Sequence, residues 1–289
     1  MLNRHIVWVL ALVIAGFAPK PLFAHVNLAA APISRMDLPW WRHRFEKKRA
    51  ELARGDVELV WYGDSITEDW ERSGPPAWRN FAPVWRHFYG GRHAVDLGFT
   101  GDSTANLIWR IDHGEASGIA PKVAILLIGA NNFGLPHWPA SETVPGIEAV
   151  IRLLREKLPR TAIILLSVLP SQRSAWVSAN TRETNAALAR IYKGNAHVHY
   201  IDVTRIFMRD GKLDRSKFLD RFLDPPEPLL HPTAQAQGEI AAAIEPLVAN
   251  LMGDRNRLEA PRLVAHHCPE PGNTGSGAQC FAHYEEGGK

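Results

Sequence analysis

Val57-Glu58-Leu59-Val60-Trp61-Tyr62-Gly63-Asp64-Ser65-Ile66-Thr67-Glu68-Asp69-Trp70 begins as an apolar run of strand length and breaks at Gly63-Asp64-Ser65. The residues that follow have the composition of a helix start. A serine at the carboxyl end of a parallel strand, followed at once by a helix, lies where open α/β sheets present reactive groups. Gly-Asp-Ser also makes an ordinary turn, so the triplet gains weight only from the residues that accompany it.

Working outward, further strands are expected at Ala94–Leu97, Val123–Ile128, Ala162–Val168 and Val198–Ile201. Val123-Ala-Ile-Leu-Leu-Ile128 and Ala162-Ile-Ile-Leu-Leu-Ser-Val168 are nearly continuous apolar runs, as expected of strands buried on both faces of a parallel sheet. Between them lie helical patterns. Asp37 to Arg54 carries Trp41, Phe45 and Leu52 on one face, Thr143 to Leu158 carries Ile147, Ile151 and Leu154, and Thr181 to Tyr192 and Thr233 to Leu251 follow. Alternating strands and helices imply a doubly wound α/β domain with its active site at the carboxyl edge of the sheet. Neither an internal repeat nor a dividing linker is visible, so residues 38–252 are expected to form one domain. Trp78, Phe81, Trp85 and Phe88 recur at near-helical spacing and are expected in the core, although Pro83 interrupts the pattern.

Residues 1–24 read as a secretory signal: Arg4 and His5 precede an uncharged apolar run, Ile6 to Ala18, and small residues follow around Ala24. The run is shorter than the ~20 residues a membrane span needs, so no stable span is expected after cleavage, and the mature protein is expected to be periplasmic or secreted. Without Arg4 and Lys20 the formal charge of +3 becomes +1, which gives no electrostatic case for nucleic acid or an anionic membrane. From about Gly253 the apolar periodicity fades, and residues 253–289 are expected to be an extension. Cys268 and Cys280 lie there, where a disulfide or free thiols are favoured over a metal site.

Three segments accompany Gly63-Asp64-Ser65: Gly98-Phe99-Thr100-Gly101-Asp102-Ser103 after the second strand, Gly129-Ala130-Asn131-Asn132 after the third, and Leu230-His231-Pro232-Thr233 before the last helix. In this order they resemble the four blocks of the SGNH, or GDSL, hydrolase superfamily. Trp40–Arg54, Trp109–Glu115, Pro121-Lys122-Val123 and Leu169-Pro170 resemble the branch that holds platelet-activating-factor acetylhydrolase catalytic subunits and related bacterial esterases. The resemblance spans roughly residues 38–250.

It implies a three-layer α/β/α flavodoxin-like fold with a mainly five-stranded parallel sheet. It also implies a serine esterase that needs no metal or organic cofactor. Ser65 would attack the ester carbonyl and His231 would take its proton. The N–H groups of Ser65 and Gly101 and the side-chain amide of Asn131 would form the oxyanion hole. Asp64 and Asp102 are expected to organise turns. Phe133, His137 and Trp138 are candidates for a pocket wall, and Trp70 for either pocket or core.

One departure stands out. The family usually has an aspartate three residues before the histidine, and that position is Pro228 here. Glu227, Asp224 or a backbone carbonyl could orient His231 instead. The expected substrates are short-chain acyl esters of lipids or carbohydrates, because no large apolar insertion could form a lid. An O-acyltransferase using the same serine and a non-catalytic binding module are the alternatives. A homodimer is expected only by family analogy.

Overall fold

The computed structural model describes residues 26–258; residues 1–24, expected to be a signal, and Cys268 and Cys280 lie outside them. Five short strands form the sheet: β1 Leu59–Gly63, β2 Ala94–Gly98, β3 Val123–Leu127, β4 Ala162–Leu166 and β5 Val198–Ile201. All pair in parallel, in the order β2-β1-β3-β4-β5. This is the flavodoxin-like winding implied by the resemblance.

Side chains alternate across the sheet because successive Cβ atoms point to opposite faces. Val60, Tyr62, Val95, Leu97, Ala124 and Leu126 join one core. Helices α4 Thr104–Arg110, α6 Ala140–Lys157 and α7 Ala175–Ile191 cover that face. Leu59, Trp61, Val123, Ile125 and Ile164 join the other core, beneath α3 Ala82–Tyr89 and α8 Ala234–Met252. Helix α1 Pro39–Leu52 buries Trp41 and Phe45 against Phe99 in a smaller aromatic cluster. Among the described residues, no helix is long and apolar enough to cross a membrane.

Phe81 and Phe88 lie in the core, with Trp78 and Trp85 half-buried against it. Pro83 does not break α3: it stands in the first turn, where its missing N–H would have had no intrahelical acceptor. Trp70 is core rather than pocket, packed on Trp61, Phe81 and Tyr89.

The register sets the site. Gly63 stands level with Gly98 on one side and Leu127 on the other, so the loops after β1, β2 and β3 emerge together. Helix α2 Ser65–Glu68, which follows β1, lies directly on the end of β2. A Cβ at position 98 would sit 2.0 Å from the Glu68 backbone nitrogen, so the close approach requires glycine.

A buried ion network locks these loops. Arg110 donates to Gly63 O at 3.0 Å, Leu97 O at 3.1 Å, Asp102 Oδ2 at 2.8 Å and Glu115 Oε2. Asp102 does more than shape a turn, since its Oδ1 also accepts from Arg35 Nη1 at 2.9 Å and Trp41 Nε1 at 2.8 Å. Burial pushes the Asp102 carboxyl up, and pushes Glu115 up to about 7, with Arg110 opposing both shifts. Arg110→Met would leave buried Glu115 without its cationic partner and Asp102 with Arg35 alone. The expected cost is about 3–5 kcal/mol, read as a lower midpoint in urea unfolding; an unchanged midpoint would remove the network from the account of stability.

Candidate active site

Asp64 caps α2, its Oδ1 accepting from Ile66 N at 3.0 Å, and this presents Ser65 as the first helical residue. The first N–H of a helix has no intrahelical acceptor, so the Ser65 N–H is free of that duty. Burial pushes the Asp64 carboxyl up to about 7 against the opposing pull of the Ile66 N–H, His231 and Arg173. Ser65 itself is 8% exposed.

Ser65 Oγ lies 3.0 Å from His231 Nε2. The imidazole Nδ1 lies 2.7 Å from Asp220 Oδ1, and Asp220 is almost fully buried. An ionised carboxylate only accepts, so Nδ1 carries the proton and Nε2 is left to accept from Ser65. Asp220 Oδ2 also takes the backbone N–H groups of Leu230 at 2.6 Å and His231 at 2.7 Å. Burial pulls the imidazole pKa down. The bond and charge of Asp220, then the charges of Asp69 and Asp64, outweigh it, so His231 is held above its ordinary value.

The third partner is therefore none of the candidates weighed from the sequence. Glu227 and Asp224 are exposed, and Pro228 leaves the usual position empty of a carboxylate. Asp220 stands eleven residues before His231 and reaches it because the chain folds back. Leu219 N donates to His231 O at 2.9 Å, Thr233 N donates to Lys217 O at 2.8 Å, and Phe218 bridges Pro232. The one hint in the sequence was an aspartate set among Phe218, Leu219 and Phe222; its burial, which makes a partner necessary, is visible only in the structure.

The other two expected site residues converge on the same loops. Gly101 has φ +77, a left-handed conformation that favours glycine. Asn131 Nδ2 donates to Asp102 O at 3.1 Å, which puts its amide beside the Gly101 loop and leaves its second hydrogen uncommitted. Asn131 lies in the short helix α5 Ala130–Gly134 directly after β3. Phe133, expected as pocket wall, is fully buried in the core because α5 turns its ring inward. His137 is exposed and Trp138 half-buried. A groove of about 410 Å³ between α7 and the edge strand β5, lined by Asn185 and Tyr200, includes none of Ser65, Gly101, Asn131 or His231.

Serine, imidazole and carboxylate in hydrogen-bonded series make an arrangement suited to acyl transfer. The model of the GDSL-like Lipase/Acylhydrolase family matches residues 61–238. Platelet-activating factor acetylhydrolase IB subunit alpha1 of Homo sapiens is 25% identical over 223 residues, covering 76% of this chain and 87% of its own. Among solved structures, a GDSL-like lipase from Bacteroides thetaiotaomicron superposes with TM-score 0.56 at 17% identity, covering 72% of this chain and 97% of its own. A carbohydrate esterase family 3 protein from Talaromyces cellulolyticus superposes with TM-score 0.51 at 17% identity, covering 69% and 99%. At these identities the superpositions speak to the fold. The family match covers more than half of the chain, which thus belongs to the GDSL-like lipase/acylhydrolase family and is a carboxylic ester hydrolase.

Proposed function

We propose that this hydrolase removes short acyl groups, acetyl foremost, from oxygen esters of lipids or carbohydrates through an acyl intermediate on Ser65, and that it acts outside the cytoplasm. The observation that carries the reading is the unbroken series from Ser65 Oγ through His231 to Asp220.

In the first half-reaction the Ser65 oxygen bonds to the ester carbonyl carbon while its proton passes to His231 Nε2. The carbonyl π pair moves onto oxygen, where the N–H groups of Ser65 and Gly101 and the Asn131 amide would receive it. One such donor lowers a barrier by about 3–4 kcal/mol. Collapse of the tetrahedral intermediate breaks the bond to the alcohol, which leaves with the proton held by His231. Water then repeats the sequence on the acyl-serine and returns Ser65 to its starting state. Asp220 keeps the imidazole in the competent tautomer and stabilises its cation in both halves.

The acetyl preference is supported by the name of the human relative, an acetylhydrolase, and by the lack of a long apolar insertion around the site. Export is supported by the basic-then-apolar leader from Arg4 to Ala18. A series of p-nitrophenyl esters tests the acyl preference. Acetate and butyrate are expected to exceed laurate by about tenfold or more in kcat/KM; a laurate preference would overturn it.

A further inference from the structure

Arg173 is the observation that the acyl-transfer machinery leaves unused. It is half-buried, and its Nε is buried with no hydrogen-bond partner. One Nη donates to the carbonyl of Ala130, the residue before Asn131. Its neighbour Gln172 donates its backbone N–H to Leu229 O at 2.9 Å, two residues before His231. The arginine is thus anchored to the Asn131 side of the site through its side chain and to the His231 side through the chain.

No carboxylate pairs with Arg173 among the described residues. The fully buried arginines are treated differently: Arg92 is paired with Glu245 and Asp254, and Arg110 with Asp102 and Glu115. Burial lowers the pKa of Arg173, and the more distant charges of Asp64 and Asp220 do not offset it. Both of those acids already accept bonds from other groups. The chain also makes room for this cation, since a Cβ on residue 134 would lie 1.7 Å from Arg173 Nη1 and Gly134 has none. Supporting one backbone carbonyl requires a donor, not a charge. Desolvating a guanidinium without a counter-ion is costly, and a ligand anion would remove that cost.

Resting on the esterase reading above, we propose that Arg173 recognises an anionic group, a carboxylate or a phosphate, carried by the substrate beside its scissile ester. The planar guanidinium fork fits either anion through paired N–H bonds. The class is then an acylated acidic sugar or an acylated phosphate-bearing lipid, and not a neutral ester alone.

The test compares matched acetyl esters with wild type, Arg173→Gln and Arg173→Lys. One pair is an acetylated methyl glucuronate and its methyl glucoside counterpart; the other is an acetyl glycerophospholipid and its neutral acetylglycerol counterpart. The anionic-to-neutral ratio of kcat/KM is expected to fall about 10- to 100-fold in Arg173→Gln for at least one pair and to recover in part in Arg173→Lys. The pair that responds identifies the source of the anion. Equal falls on charged and neutral esters in both pairs would reduce Arg173 to a support for the Ala130 carbonyl and overturn the proposal. A binding measurement needs no turnover: phenyl phosphate titrated into Ser65→Ala is expected to bind, and to bind at least about tenfold more weakly once Arg173→Gln is added. Equal binding would contradict the proposal. Failure of wild type on every neutral and charged ester would instead count against the esterase reading, with the binding comparison still deciding Arg173.

Discussion

Asp220→Asn is expected to lower kcat about a thousand- to ten-thousand-fold on any good ester, with Asp224→Asn and Glu227→Gln within about twofold of wild type. The amide would keep the size of the carboxylate and lose its charge. It could also turn its NH₂ toward His231, favouring the tautomer in which Nε2 carries the proton and cannot accept from Ser65. The backbone N–H groups of Leu230 and His231, now bonded to Asp220 Oδ2, would lose a strong acceptor at the same time. The pH profile separates this role from a purely structural one. His231 must be neutral to act as base, so activity is lost as pH falls through its pKa. Burial lowers that pKa and Asp220 raises it to a net value above the ordinary imidazole range, so the wild-type acid limb of kcat/KM belongs above about 6.5. Removing the Asp220 charge leaves burial less opposed, and the residual activity should persist to lower pH. An acid limb that stays in place, or losses of similar size in Glu227→Gln, would transfer the orienting role elsewhere.

Ser65→Ala is expected to lower kcat by about ten-thousand-fold or more while leaving the fold intact. Ser65 Oγ is hydrogen-bonded to His231 Nε2, and the capping of α2 rests on Asp64, not on the serine hydroxyl. The thermal midpoint should therefore stay near wild type while turnover disappears. The comparison with Asp220→Asn is informative because members of one catalytic unit are strongly non-additive: Ser65→Ala/Asp220→Asn should be no slower than Ser65→Ala alone. An additive double variant would place the two residues in separate functions.

Much of this arrangement was legible before the structure. Strands β3 and β4 announced themselves as nearly continuous apolar runs because they are covered on both faces of a parallel sheet, and Val198–Ile201 matches its expected span. Helix α7 begins at Ala175 and not Thr181, because Ser174 caps it by accepting from Val177 N. Helix α6 likewise starts at Ala140, earlier than its apolar spacing indicates, with Pro145 accommodated inside it. Ser65, Gly101, Asn131 and His231 could be singled out because each follows a strand end or precedes a helix start, and the structure brings Ser65 and His231 into hydrogen-bond contact.

Asp220 was not readable for the opposite reason. It lies in a short turn, Leu219–Phe222, with neither helical nor strand periodicity. Its approach to His231 depends on how a loop with Pro225, Pro226 and Pro228 closes. Sequence distance favoured Glu227, but burial decided the matter, since only a carboxylate shielded from water holds the imidazole strongly. Phe133 shows the same limit, because adjacency to Asn131 in sequence does not say which way a ring turns. Arg173 is a third case: that it has no ionic partner among the described residues is a property of the packed structure alone.

The most direct test of the central claim is covalent. Wild-type protein treated with a fluorophosphonate, which reacts with serines activated as nucleophiles, should be modified once per chain. Peptide mass spectrometry should place the adduct on Ser65, with labelling and ester turnover lost in parallel as pH falls below the His231 pKa. An adduct on another residue, or equal labelling of Ser65→Ala, would contradict the assignment of Ser65 as the acyl carrier.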